Sequence, residues 1–213
     1  GVIKKGTSVA MYDAKKSVFD VVKAKCDKVG AKLVEAQFEN ISNVKTDIDK
    51  TVFDYKTFKG LEIHLVGAYQ KYNASLAVTA LCELRKRGWK ITDDNIKDGL
   101  FDTVWQGRFE ILGKNPIFVL DGAHNVHGMM ATKDSFETLF ENKKINFIVG
   151  AMRDKDVEGM MRLILPKAKT FYAVCPPNDR AMNQDELCAL LKNMGSVAYS
   201  FDSIEQAVLC AVK

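Results

Sequence analysis

Short apolar runs bounded by turn residues alternate with amphipathic stretches along this chain. "TSVAMY" (7–12) and "AKLVEA" (31–36) read as strands. Between them, residues 14–29 place Val18, Val21, Val22 and Val29 on one helical face. "TVFDYKTF" (51–58) and "GLEIHLVG" (60–67) alternate polar and apolar positions, as paired antiparallel strands do. Residues 71–87 predict a helix with Ala77, Ala80, Leu81 and Leu84 inward, and Thr92 can cap another helix running to about Leu100.

The texture changes after "WQGRFE" (105–110). "NPIFVLDG", "INFIVGAM", "KTFYAVC" and "VAYSF" are short apolar runs rich in β-formers. Helical patterns follow them at about 125–142, 155–164, 184–194 and 204–213. Asn183 with Glu186 and Ser203 with Gln206 have capping-box spacing, and Gly195 suits a helix C-terminus. Strands alternating with helices predict a parallel, doubly wound α/β sheet. A boundary near Gly107 divides the chain into 1–106 and 107–213.

Composition narrows the function. Of 213 residues, 47% are hydrophobic, enough for substantial cores. The formal charge of +4 is spread among interleaved acids and bases, which argues against nucleic acid as a partner. The five cysteines form no CxxC, the pattern of reduced thiols in a cytoplasmic protein. No apolar stretch reaches the roughly 20 residues that span a bilayer, so no membrane role is expected. The first residues enter a strand pattern almost at once and the last helix stops early, as in part of a longer protein.

The chemistry concentrates in "FVLDGAHNVHG" (118–128). In open parallel sheets, ligands sit beyond the carboxyl ends of the strands. Asp121 would project from such an end, Gly122 would let the backbone turn, and a helix from about Asn125 would offer free N–H groups to an anion. His124, at the helix start, could donate to that anion. The plainer reading makes Asp121 or Asn125 a helix cap and His124 a surface residue. Asp121, His124 and His127 also have the composition of a zinc set, without a fourth ligand nearby. Neither GxGxxG nor GxxxxGK[ST] occurs in the chain.

Four stretches together, "GAYQKYNASLA" (67–77), "WQGRFE" (105–110), "LDGAHN" (120–125) and "GAMRDKDVEGMM" (150–161), resemble in order and spacing the folylpolyglutamate and dihydrofolate synthases of the Mur ligase superfamily. The opening "GVIKKGTSVA" is similar to another segment of that family. The resemblance implies part of a central ATPase domain over 1–106, followed by a C-terminal Rossmann-like domain over 107–213, the two closing on ATP. It implies an ATP-dependent amide ligase: a folate or dihydropteroate carboxylate is phosphorylated, and glutamate attacks the acyl phosphate. Asn73 would meet the adenine, Arg108 would reach the nucleotide from the linker, and Asp121 would bind it. His124 would lie near the phosphates or glutamate as the catalytic residue. Lys155 and Asp156 would lie on the glutamate or active-site rim, and Arg180, in the strand-end loop "PPNDRAMN" (176–183), could bind a carboxylate there.

Those roles suit the side chains. Asn presents a donor and an acceptor to a base edge, and Arg forks onto phosphate oxygens. Asp154 is expected to cap the helix after "RDKD". Tyr69 stands where the family commonly has histidine, and Val126 where it commonly has proline. The family's phosphate loop and magnesium ligands precede the segment resembling "GVIKKG", so no metal ligands are expected in this chain, and these residues alone are expected to be inactive. The protein is expected to be a monomer. Another Mur-type ligase and a non-catalytic nucleotide-binding module are the alternatives.

Overall fold

The computed structural model describes residues 1–213. The chain divides into two units, Gly1–Gln106 and Gly107–Lys213.

In the first unit, β1 (Ser8–Met11) and β2 (Lys32–Glu35) pair in parallel and are joined by α1 (Lys16–Val29). The inward face of α1 differs from the predicted one. Val18 and Val21 are exposed, while Cys26 is buried and Phe19, Val22 and Val29 are half-buried. A valine count leaves two overlapping stripes. The chosen one keeps Phe19 and Cys26 out of water, and Phe19, Val22, Cys26 and Val29 recur at the spacing of one helix face.

A three-stranded antiparallel meander follows: β3 (Ile41–Thr46), β4 (Thr51–Tyr55) and β5 (Phe58–Ile63). "TVFDYKTF" is therefore not one strand. The chain reverses at Lys56–Thr57, with Lys56 at φ 53° in the left-handed region and Tyr55 paired with Phe58.

Helices α2 (Gln70–Lys86) and α3 (Asp93–Phe101) complete the unit. Phe53, Tyr55, Leu61 and Ile63 pack with Val78 of α2 and Ile96 of α3. Ala77 is exposed; the buried face of α2 runs through Ala74, Ser75, Val78, Thr79 and Glu83. Its polar members are paired, as buried polar groups must be. Thr79 Oγ1 and Tyr55 Oη are 2.9 Å apart, and Glu83 meets Lys32 and Lys86, each at 2.6 Å.

The second unit opens with an antiparallel hairpin, β6 (Glu110–Lys114) and β7 (Ile117–Leu120), turning at a cis Asn115–Pro116 peptide. Then come α4 (Val126–Leu139), β8 (Ile145–Val149), α5 (Val157–Ile164), β9 (Ala168–Val174), α6 (Gln184–Asn193), β10 (Ala198–Phe201) and α7 (Ile204–Ala211). All four strand–helix alternations form. The parallel sheet, however, has three strands in the order β10-β9-β8, and β7 bonds to β6. Aromatic rings tie the hairpin into the core. Phe109, Phe136, Phe147 and Phe171 follow one another at centroid separations of 5.2, 5.4 and 5.5 Å.

Candidate functional site

The turn after β7 is organised by Asp121. Its Oδ2 accepts the Phe109 amide at 2.8 Å, and its Oδ1 accepts the Ala123 amide at 2.8 Å and the Thr132 hydroxyl at 3.1 Å. A carboxylate has about four acceptor positions, so one remains. Asp121 is thus not a helix cap. That task falls to Asn125, whose Oδ1 accepts the Gly128 amide at 2.8 Å and starts α4.

Gly122 closes the same turn. Its amide donates to the Gly107 carbonyl at 2.8 Å, and a Cβ on Gly122 would stand 3.2 Å from that oxygen. Gly107 and Phe109 are therefore both fastened to the strand end, and Arg108, exposed, lies between them. Phe109 adopts φ 48°, rare for an aromatic residue, with its ring fully buried.

His124 Nδ1 lies 2.9 Å from the Gly122 carbonyl. A carbonyl only accepts, so Nδ1 carries the proton. Nε2 is then an acceptor in the neutral ring and a donor only when the ring is protonated. That refines the expectation that His124 simply donates to an anion.

A second group occupies the loops after β8 and β9. Met152 and Ala181 form an antiparallel bridge, the Arg153 amide donates to the Arg180 carbonyl, and the Met182 amide donates to the Ala151 carbonyl, both at 2.8 Å. Gly150 permits this approach, because a Cβ there would lie 2.6 Å from Pro176 Cγ. Lys155 and Arg180 converge on Asp154 at 3.2 and 3.4 Å. The hydrogen bond from Lys155 holds the Asp154 carboxyl below its ordinary range. The cap of α5 is Asp156, whose Oδ1 accepts the Gly159 amide at 2.9 Å, and not Asp154. Arg153, missed in the sequence reading, donates from Nε to the Ala181 carbonyl at 3.1 Å and pairs with Glu186 at 2.7 Å.

In the first unit, Asn73 lies in the first turn of α2, exposed, with Nδ2 donating to Gln70 Oε1 at 2.9 Å. Tyr69 occupies the N-cap position of that helix without a side-chain capping bond. No three His, Cys, Asp or Glu side chains are grouped to hold a metal ion. No helix is long and apolar enough to cross a membrane.

Residues 107–213 match the family described as Mur ligase, glutamate ligase domain. The chain is 36% identical over 152 residues to a probable bifunctional folylpolyglutamate synthase/dihydropteroate synthase of Halobacterium salinarum, covering 71% of this chain and 18% of that protein. It is 30% identical over 183 residues to the folylpolyglutamate synthase of Lacticaseibacillus casei, covering 83% and 42%. Its fold matches Escherichia coli FolC in complex with ADP with a TM-score of 0.72 at 26% identity, covering 93% of this chain and 45% of that one. The chain thus spans less than half the length of these relatives. With the family match over the whole second unit and these likenesses across both, the chain belongs to the Mur ligase family, in its folylpolyglutamate and dihydrofolate synthase branch.

Proposed function

We propose that this chain supplies part of an ATP-dependent ligase that joins glutamate to a folate or dihydropteroate carboxylate. The carboxylate oxygen takes the γ-phosphoryl group of ATP, releasing ADP. The glutamate amine then attacks the acyl carbon and phosphate leaves, its proton passing to a base. Such transfer depends on positioning and charge neutralisation. Magnesium would serve that neutralisation.

The observation that carries the reading is the placement of Arg108. It stands on a segment fastened on either side, at Gly107 and Phe109, to the turn that holds Asp121 and His124. A guanidinium carried on a held backbone suits phosphate oxygens. Asp121 retains one acceptor position for a ribose hydroxyl, and His124 Nε2 faces no partner in the turn's own hydrogen bonding. The ADP held by E. coli FolC supports a nucleotide as the ligand. Asn73 is the residue for the adenine edge in the first unit. Lys155 and Arg180 offer two cations for glutamate carboxylates, whereas Asp156 caps α5.

The test is ADP titration of the gene product that carries this sequence and of its Arg108→Ala and Arg108→Lys forms. Loss of a charged contact should weaken binding about 10- to 150-fold, with Lys recovering only part because a point charge cannot fork. Equal affinity in all three would remove Arg108 from the site.

A further inference from the structure

The Arg108 segment depends on a residue with no predicted role. Thr132 lies in the second turn of α4, is 5% exposed, and its hydroxyl is 3.1 Å from Asp121 Oδ1 and 3.1 Å from the Gly128 carbonyl. A charge-assisted bond to a carboxylate is the stronger of the two options. Three donors from three places therefore fix one carboxylate: the amide of the turn, the hydroxyl of α4, and the amide of Phe109. Phe109 has the unusual backbone, at φ 48°. Conformations of this kind cost about 1–3 kcal/mol and persist only where the surroundings hold them. The holding groups are the buried ring on one side and the Asp121 acceptor on the other.

We infer that Thr132 is a positioning residue for Arg108, acting through the Asp121 carboxylate and the Phe109 amide. Removing the hydroxyl leaves Asp121 Oδ1 with the Ala123 amide alone. The carboxylate keeps two of its three donors but is held less tightly, the Phe109 amide has a less fixed acceptor, and the direction of the residue just before it loosens. The Gly122–Gly107 bond remains, so the segment loosens rather than detaches. The inference rests on the reading of Arg108 as a phosphate ligand.

The experiment uses the gene product that carries this sequence, with ADP as the probe and amide hydrogen exchange as a second readout. Thr132→Val keeps the shape and removes the hydroxyl; Thr132→Ser keeps the hydroxyl. The valine form should bind ADP about 3- to 10-fold more weakly and exchange the Phe109 amide about 10-fold faster, the loss of roughly one hydrogen bond. Amides of β8 and β9 should keep their protection, and Thr132→Ser should restore both values. In an Arg108→Ala background, Thr132→Val should cost less ADP affinity than it does in the parent, because only the Asp121 contact to the ribose is left to weaken. If the valine form does not fold, Thr132→Ala takes its place with the same expected pattern.

Additive losses in the double variant, unchanged Phe109 exchange, or a serine form as loose as valine would each overturn the inference. If the unaltered gene product binds no ADP, or Arg108→Ala leaves binding unchanged, the nucleotide reading fails. The clasp then stands or falls on the Phe109 exchange of the valine and serine forms.

Discussion

Arg153, in the loop after β8, and Glu186, in the first turn of α6, face each other at 2.7 Å. Both side chains are about half exposed, so the ion pair itself contributes little, within about 1 kcal/mol. Its effect is on the loop. Arg153 also donates from Nε to Ala181, next to Arg180. Arg153→Ala should leave the thermal midpoint almost unchanged while the Met182 amide, bonded to Ala151, exchanges faster. A large fall in midpoint would make Arg153 a stability residue instead.

Gly150 has the opposite profile. A methyl there meets the Pro176 ring and stands 3.2 Å from the Val174 carbonyl. Gly150→Ala should cost about 1–3 kcal/mol, the range for overpacking, read from urea unfolding. A stability equal to that of the parent would show that the two loops separate freely.

The two aspartates of "RDKD" should separate cleanly. Asp156→Ala removes the cap of α5 and should cost about 1 kcal/mol. Asp154→Ala removes an exposed partner of Lys155 and Arg180 and should cost much less. Denaturant midpoints of the two variants decide this, and the reverse order would return the cap to Asp154.

Asp54 gives the first unit an acid-sensitive hairpin. Its Oδ1 accepts the Gly60 amide at 2.8 Å, and its Oδ2 meets Asn43 at 2.8 Å and Lys59 at 3.2 Å. The Gly60 bond, then Asn43 and Lys59, hold its pKa at about 2, below the ordinary value of about 3.9. A lowered folded pKa means stability that is complete above about pH 4 and lost as pH falls toward 2. Unfolding followed between pH 5 and 2 should show this loss, and Asp54→Asn should flatten that part of the profile. An unchanged slope in the asparagine form would assign the acid sensitivity elsewhere.

His124 can be divided atom by atom. Nδ1 is engaged by the Gly122 carbonyl, so the work assigned to the ring falls to Nε2. An asparagine can imitate Nδ1 and a glutamine Nε2. In the gene product that carries this sequence, His124→Asn should lower turnover by about one to two orders of magnitude, with His124→Gln less impaired. Equal activity in both would remove Nε2 from the reaction.

The second unit was the more legible half, and local signals explain why. Asn125 and Ser203 mark helix starts through bonds to residues three positions on, and β8, β9 and β10 are short, mainly apolar runs between such signals. Thr92 gave the same help in the first unit, where it forms a reciprocal box with Asn95. Asn183 accepts from Asp185 rather than completing a box with Glu186, so its spacing found the helix but misnamed the bond. β3 and β6 were not read as strands. β3 has exposed polar positions along most of its length, and β6 is short and contains Gly113. The role of Asp121 was the least visible, because it joins residues 12 positions before and 11 after. Sequence spacing marks local caps; it carries no trace of a carboxylate that gathers donors from a linker, a turn and a helix.

The most direct measurement follows labelled glutamate and ADP together, in the gene product that carries this sequence, with ATP, magnesium and either dihydropteroate or tetrahydrofolate. Glutamate should enter amide linkage in step with ADP release, and Arg108→Ala should lower kcat/KM for ATP about 10- to 150-fold. ATP turnover indifferent to glutamate, or an Arg108→Ala form as efficient as its parent, would contradict the assignment.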